Sequence, residues 1–215
     1  MMFRTLRLGL LVAGIVVTAL ASPVLAGSYN AAGGVIPDNQ PGNPLIMNFA
    51  VTDVGPITSV DVTLNSFTHT WVGDMIATLT GPGGVATILN RTTNEVAASC
   101  TSTVGNSANV AGNYRFIDSG ASIAAALNAN PATLAAGDYT ASTRTVPTTC
   151  TAPLSLGSIF NGTNAVGNWT LSVTDNAALD SGTIGSATLN VNTVPEPAIF
   201  GVALLGLGLL GIRRR

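Results

Sequence analysis

The chain has 215 residues, of which only 8% are charged, and it contains no lysine. Five of its eight arginines lie near the two ends, so the segment 27–193, here called the body, has three arginines against nine acidic residues. A body with a net charge of −6 is repelled by phosphate backbones, which excludes a typical nucleic-acid-binding protein. The length suits one domain with processed ends.

The first 26 residues have the pattern of a secretory signal peptide. Arg4 and Arg7 precede the apolar run LGLLVAGIVVTALA, and Val24-Leu25-Ala26 satisfies the small-residue rule for cleavage. We therefore predict that signal peptidase cuts after Ala26 and that the body is exported. An uncleaved anchor helix is the alternative, although the apolar run is short.

Three stretches of the body alternate apolar and polar residues with a period of two. They are SVDVTLNSF at 59–67, NWTLSVTD at 168–175 and SATLNVN at 186–192. This alternation is typical of strands that bury one face. The apolar stretches on either side of GPGG at 81–84 predict a further pair of strands joined by a tight turn.

The remaining segments are less regular. Residues 27–44 and 130–152 are predicted to be irregular, whereas the alanine-rich segment Ser122–Ala129 predicts one or two helical turns with Ser122 as N-cap. We expect an all-β, jelly-roll-like β-sandwich of about eight strands, preceded by the signal peptide (1–26) and followed by a short apolar helix within 194–215.

The two cysteines, Cys100 and Cys150, both lie in the body. Neither belongs to a CxxC motif or lies near a histidine cluster, which disfavours a metal-thiolate or redox site. In an exported protein the two are expected to form a disulfide, worth about 3–4 kcal/mol for a loop of this size.

Four blocks of the body resemble the P domain of proprotein convertases, also called P/Homo B, and they occur in the family's order. The blocks are HTWVGDMIATLTGPGGVATIL (69–89), YRFIDSGA (114–121), PLSLGSIFNG (153–162) and GNWTLSVTDNAALDSGTIGSATLNV (167–191). The resemblance implies a jelly-roll sandwich of about eight strands. In convertases this module follows a subtilisin-like catalytic domain, but this chain has no such domain and no triad motif, so the resemblance implies a binding or stabilising module.

The C-terminus resembles the PEP-CTERM sorting signal of exopolysaccharide-producing Gram-negative bacteria. Val194, Pro195, Glu196 and Pro197 match its motif, and Ala198–Ile212 followed by three arginines matches its apolar helix and basic end. Fifteen residues make a helix of about 22 Å, shorter than a hydrocarbon core of about 30 Å. The resemblance implies transient anchoring in the inner membrane and cleavage by an exosortase. A permanent tail anchor is the alternative.

Three aspartates are candidate ligands of calcium. Asp74, Asp175 and Asp180 fall at strand ends or in the turn that follows, and calcium prefers oxygen ligands from such positions. The alternative is that they accept backbone hydrogen bonds, as turn aspartates commonly do. Asp118 is a weaker addition to the set.

The sequence also predicts roles for two further side chains, His69 and Trp71. His69 is the only histidine and is expected to be structural, bonded to backbone nearby. Trp71 lies in a predicted loop, where it could contact a ligand such as a sugar ring.

The sequence favours a non-enzymatic surface or matrix protein, sorted by an exosortase and associated with exopolysaccharide or biofilm. One alternative is an enzyme acting on polysaccharide, because glycosidases need only two facing carboxylates. Another is an accessory module for a separate subtilisin-like protease.

Overall fold

The computed structural model describes residues 24–93, 105–144 and 149–194, and these residues form a nearly all-β fold. Within these ranges the helical segments are a 3-10 turn (Val72–Asp74), α1 (Ile123–Leu127) and α2 (Gly157–Phe160). The strands are β1 (Leu25–Ile36), β2 (Leu45–Val51), β3 (Ile57–His69), β4 (Met75–Gly81), β5 (Gly84–Asn90), β6 (Asn109–Ala121), β7 (Thr133–Leu134), β8 (Gly137–Tyr139), β9 (Ala141–Thr143), β10 (Ala152–Leu154), β11 (Gly167–Asp175) and β12 (Gly182–Thr193).

Eight of these strands have seven residues or more, and they form two antiparallel sheets around one hydrophobic core. One sheet has the order β1-β12-β3-β6, extended at β6 by the short parallel partners β7 and β8. The other has the order β2-β11-β4-β5. Counting the long strands along the chain, the sheets contain strands 1-8-3-6 and 2-7-4-5, which is the strand order of a jelly roll. The predicted fold class is confirmed.

The alternating stretches form strands whose apolar face lies in the core. In β11, Trp169, Leu171 and Val173 are fully buried, whereas the residues between them are only partly buried. The Trp169 indole N–H donates to the carbonyl of Ala165 at 3.0 Å, so the ring is buried without an unsatisfied donor. The predicted hairpin is also present, with Gly81 opposite Gly84 and two residues between them.

The prediction that residues 27–44 are irregular is wrong for most of the segment. β1 pairs antiparallel with β12 from Leu25 opposite Thr193 to Ile36 opposite Gly182. Its sequence, LAGSYNAAGGVI, lacks an apolar alternation because the strand lies at a sheet edge and buries only Ala31 and Ile36. Pairing with β12 therefore overrides a weak local propensity.

The helix and loop predictions had different outcomes. α1 is a short helix, and Ser122 Oγ accepts the N–H of Ala125 at 3.2 Å, as expected of an N-cap. The 130–152 segment, predicted to be a loop, contains the three strands β7 to β9, each of two or three residues. Strands of two or three residues are too short to show an alternation of apolar and polar residues in the sequence.

Candidate functional site

The ends of four strands bring the candidate side chains together at one end of the sandwich. β3 ends at His69, opposite the start of β12 at Gly182, and β4 starts at Met75, opposite the end of β11 at Asp175. The 3-10 turn connects β3 to β4, and Asp180 lies in the connection from β11 to β12. We call His69, Asp74, Asp175 and Asp180 the acidic rim.

Two members of the acidic rim, His69 and Asp175, form a buried hydrogen-bonded pair. His69 Nε2 lies 3.1 Å from Asp175 Oδ2, and both side chains are completely buried. Nδ1 of His69 accepts the backbone N–H of Trp71 at 3.1 Å. A ring nitrogen that accepts a hydrogen bond carries no proton, so Nε2 carries the ring proton and its N–H donates a hydrogen bond to Asp175. The expected backbone contact of His69 is present, whereas its carboxylate partner was not foreseen.

Asp74 is buried but only partly satisfied. Its Oδ1 lies 3.5 Å from Nη2 of Arg91, while its Oδ2 accepts no hydrogen bond from a described residue and keeps some contact with solvent. Burial raises the pKa of Asp74 to about 6; the Arg91 charge opposes this, and the negative charges of Asp175 and Asp180 add to it. Arg91 was not singled out from the sequence, although it is one of only three arginines in the body.

Asp180 and Trp71 complete a cavity beside Asp74. The cavity has a volume of about 190 Å³ and is lined by Trp71, Asp74, Ala177, Ala178 and Asp180; we call it the rim pocket. Asp180 Oδ1 accepts the hydroxyl of Thr70 at 2.7 Å, which holds it at the wall. The rim pocket therefore combines one indole, two carboxylates and two small apolar side chains.

Calcium binding by the three aspartates stays a prediction, but Asp175 already has other partners in this structure. Both oxygens of Asp175 are engaged, one with His69 and the other with the N–H of Ala177 at 3.1 Å. In the described ranges no group of three histidine, cysteine or acidic side chains is arranged to hold a metal ion. Asp74 and Asp180 share the rim pocket, whereas Asp175 does not line it and acts as a hydrogen-bond acceptor.

Asp118, the weaker member of the calcium set, has a structural role elsewhere in the fold. It lies on β6, and its carboxylate accepts the backbone N–H groups of Leu156 at 2.6 Å and Gly157 at 2.9 Å. Ser155 also donates its hydroxyl to this carboxylate. These groups are at the start of α2, where helix N–H groups lack partners within the helix, so Asp118 caps α2 from a neighbouring strand.

Several predicted features lie outside the described residues. They include Cys100, most of the signal peptide, Pro195, Glu196 and Pro197 of the sorting motif, and the apolar segment after it. The Cys100–Cys150 bridge therefore stays a prediction. β12 ends at Thr193, and the N–H of Val194 donates to the carbonyl of Pro56 at 3.1 Å, so the sandwich extends to the start of the motif. Among the described helices, none has the length and apolar character needed to cross a bilayer.

Comparison with known proteins identifies the C-terminal signal. Residues 193–215 match the PEP-CTERM protein-sorting motif. No curated protein matches the chain. Among solved structures, the chain is similar to a chain of the complex of the Aeromonas sobria serine protease and a chaperone (14% identity, TM-score 0.44, covering 80% of this chain and 27% of that chain). It is also similar to the serine protease of Aeromonas sobria (13% identity, TM-score 0.42, covering 82% and 28%). The chain thus spans little more than a quarter of either one.

Proposed function

We propose that this protein is a non-enzymatic jelly-roll module of the cell surface or exopolysaccharide matrix, and that the rim pocket is its contact site for a matrix glycan. The observation that carries the proposal is the PEP-CTERM motif at 193–215, which marks an exported protein sorted by an exosortase. The exosortase cuts near Pro195-Glu196-Pro197 and releases the body from the inner membrane.

The composition of the rim pocket supports a binding role. Ligand sites are concave and mostly apolar, with an aromatic side chain and a few polar groups that set orientation. Trp71 supplies the apolar ring on which a sugar face can stack, and Asp74 and Asp180 supply acceptors for hydroxyl groups. The P-domain-like order of the sequence blocks supports the same role, since it implies a module used for binding or stabilisation.

The buried pair argues against catalysis by the histidine. In a nucleophilic triad, one ring nitrogen faces the carboxylate and the other faces the nucleophile. In this protein, Nε2 of His69 faces Asp175 but Nδ1 is occupied by the N–H of Trp71. The ring therefore has no nitrogen with which to activate a hydroxyl or thiol.

The test is matrix retention of the full-length protein in an exosortase-containing host that makes exopolysaccharide. We expect the wild-type protein in the matrix fraction and the Trp71→Ala protein mostly in the medium. Val85→Ala, which truncates an exposed apolar side chain outside the rim pocket, is the control and is expected to be retained. Equal retention of wild type and Trp71→Ala would contradict the assigned contact site. Absence of wild-type protein from both surface and matrix would contradict the proposal as a whole.

One observation favours a second candidate, a polysaccharide-active enzyme. Asp74 and Asp180 line the same cavity, and a carboxyl with a pKa of about 6 can act as a general acid near neutrality while a second carboxylate stays ionised. Release of reducing ends from purified matrix glycan, abolished by both Asp74→Asn and Asp180→Asn, would establish this activity. Unchanged glycan after prolonged incubation with wild type favours the binding module.

A further inference from the structure

Asp53, in the connection between β2 and β3, has a carboxylate oxygen without a partner. Its Oδ2 is sealed from solvent and accepts no hydrogen bond within the described ranges. The backbone around it is held in place, because the N–H groups of Thr52 and Asp53 both donate to the Tyr29 hydroxyl at 3.1 Å. An ionised oxygen in this position lacks both water and a donor, which is costly unless a donor is supplied.

Gly27, the first residue after the predicted cleavage point, lies close to this oxygen. A Cβ atom placed on Gly27 would overlap Oδ2 of Asp53, so a larger residue here would displace the carboxylate from its present position. The position of this Cβ is two bonds from the Gly27 nitrogen, and each bond is about 1.5 Å long. Since the Cβ would overlap Oδ2, the nitrogen itself lies within about 5 Å of that oxygen.

We propose that Asp53 is the receiving site for the α-ammonium group that signal-peptide cleavage creates at Gly27. Hydrolysis of the Ala26–Gly27 peptide bond consumes one water and leaves a carboxylate on Ala26 and an ammonium on Gly27. The new cation has three donors, whereas the amide nitrogen it replaces has one. This inference rests on the export step of the proposed function, because it needs the cut after Ala26.

Cleavage removes little that stabilises β1. The cut separates Leu25 and Ala26, which pair with Thr193 and Asn192 at the exposed end of the strand. In return, the chain end gains an ion pair with a partly buried carboxylate, in a body whose net charge is −6. Processing therefore fastens the start of β1 to the β2–β3 connection, and the mature body is more stable than the precursor.

The first test is a double-mutant cycle on protein exported and processed from the full precursor. Inserting Gly-Ser between Ala26 and Gly27 leaves the cleavage site intact and moves the ammonium about 6–7 Å along the strand. In the wild-type background, we expect Asp53→Asn to raise the unfolding constant about fivefold, as for an ion pair worth about 1 kcal/mol. With the insertion, we expect less than a twofold change.

Asp138→Asn is the charge-matched control for this cycle. Its carboxylate is 57% exposed, and β8, which carries it, is at the opposite side of the sheet from β1. It should change the unfolding constant equally in both backgrounds. An equal effect of Asp53→Asn in both backgrounds would overturn the inference.

The second test uses the absence of lysine from the sequence. The α-amine is the only primary amine in the mature protein, so an acylating reagent reports on it alone. An ion pair with Asp53 lowers the fraction of unprotonated amine, and we expect wild type to react about fourfold more slowly at pH 7.5 than Asp53→Asn. Equal rates would overturn the inference. Mass spectrometry of the same samples gives the N-terminus, and a terminus other than Gly27 would refute the cleavage premise instead.

Discussion

His69 and Asp175, which lie 106 positions apart in the sequence, are joined by a 3.1 Å hydrogen bond between two fully buried side chains. The bond connects the end of β3, in one sheet, to the end of β11, in the other. Because Nδ1 of His69 accepts a backbone N–H, the imidazole is neutral and the pair carries one negative charge. The pair therefore links the two sheets at the end of the sandwich that carries the rim pocket.

Removing the acceptor of this pair should destabilise the fold. Asp175→Ala leaves the buried Nε2–H of His69 and the partly buried N–H of Ala177 without their acceptor. A buried unsatisfied donor costs about 1–3 kcal/mol and the partly exposed N–H adds less, so we expect a loss of about 3 kcal/mol in urea unfolding. Asp180→Ala, which removes a partly exposed acceptor of Thr70, serves as control and should cost less than about 1 kcal/mol. Similar losses for the two variants would contradict a structural role specific to the pair.

Neutralising Asp74 should stabilise the protein at neutral pH. The pKa of Asp74 is raised from 3.8 to about 6, so the folded state holds this proton more tightly than the unfolded state does. The stabilising contribution is complete below pH 4 and is lost as the pH rises through about 6. We therefore expect Asp74→Asn to be more stable than wild type at pH 7.5, with the difference vanishing near pH 4.

Thermal unfolding across this pH range measures the effect. Asp138→Asn, at an exposed carboxylate, should show no comparable dependence on pH between 4 and 7.5. If the stability difference between wild type and Asp74→Asn is the same at pH 4 as at pH 7.5, the raised pKa of Asp74 is refuted.

Calcium should have little effect on stability. The two oxygens of Asp175 already have donors, which leaves only Asp74 and Asp180 in the rim pocket, whereas calcium takes six to eight oxygen ligands. We expect the unfolding temperature of the processed protein to be the same in millimolar calcium and in excess chelator. An unfolding temperature that rises with calcium in wild type, but not in Asp74→Asn or Asp180→Asn, would support calcium binding instead.

Processing should occur at both ends of the chain. Mass spectrometry of protein released by an exosortase-containing host should show a start at Gly27 and an end near residue 196. A precursor carrying Glu196→Ala and Pro197→Ala should stay membrane-associated with its C-terminal arginines intact. Released wild-type protein that still ends in those arginines would contradict the exosortase step.

The cysteines should be bridged in the exported protein. Peptide mapping without reductant should link the peptides that contain Cys100 and Cys150. Cys100→Ser together with Cys150→Ser should lose about 3–4 kcal/mol of stability if the bridge restricts the unfolded chain as expected. Two free thiols in the exported wild type would refute the pairing.

Local pattern was enough to predict much of this fold. The alternation in β3, β11 and β12 is visible because each of these strands packs one face against the core and the other towards a more polar surface. The tight turn between β4 and β5 and the cap at Ser122 depend on neighbours a few positions away. The sorting motif is likewise a contiguous stretch of sequence, so the match at 193–215 agrees with the sequence prediction.

What only the tertiary structure decided depends on partners distant in sequence. β1 is a strand because β12 offers it a partner more than 140 positions away, and no local alternation marks it. Asp118 caps a helix 38 positions further along, and Asp175 accepts a hydrogen bond from His69 in the other sheet. An aspartate at a strand end looks the same in sequence whether it will meet an imidazole, a helix terminus or a metal. The jelly-roll strand order selects the partner, because it determines which strand ends meet at each rim.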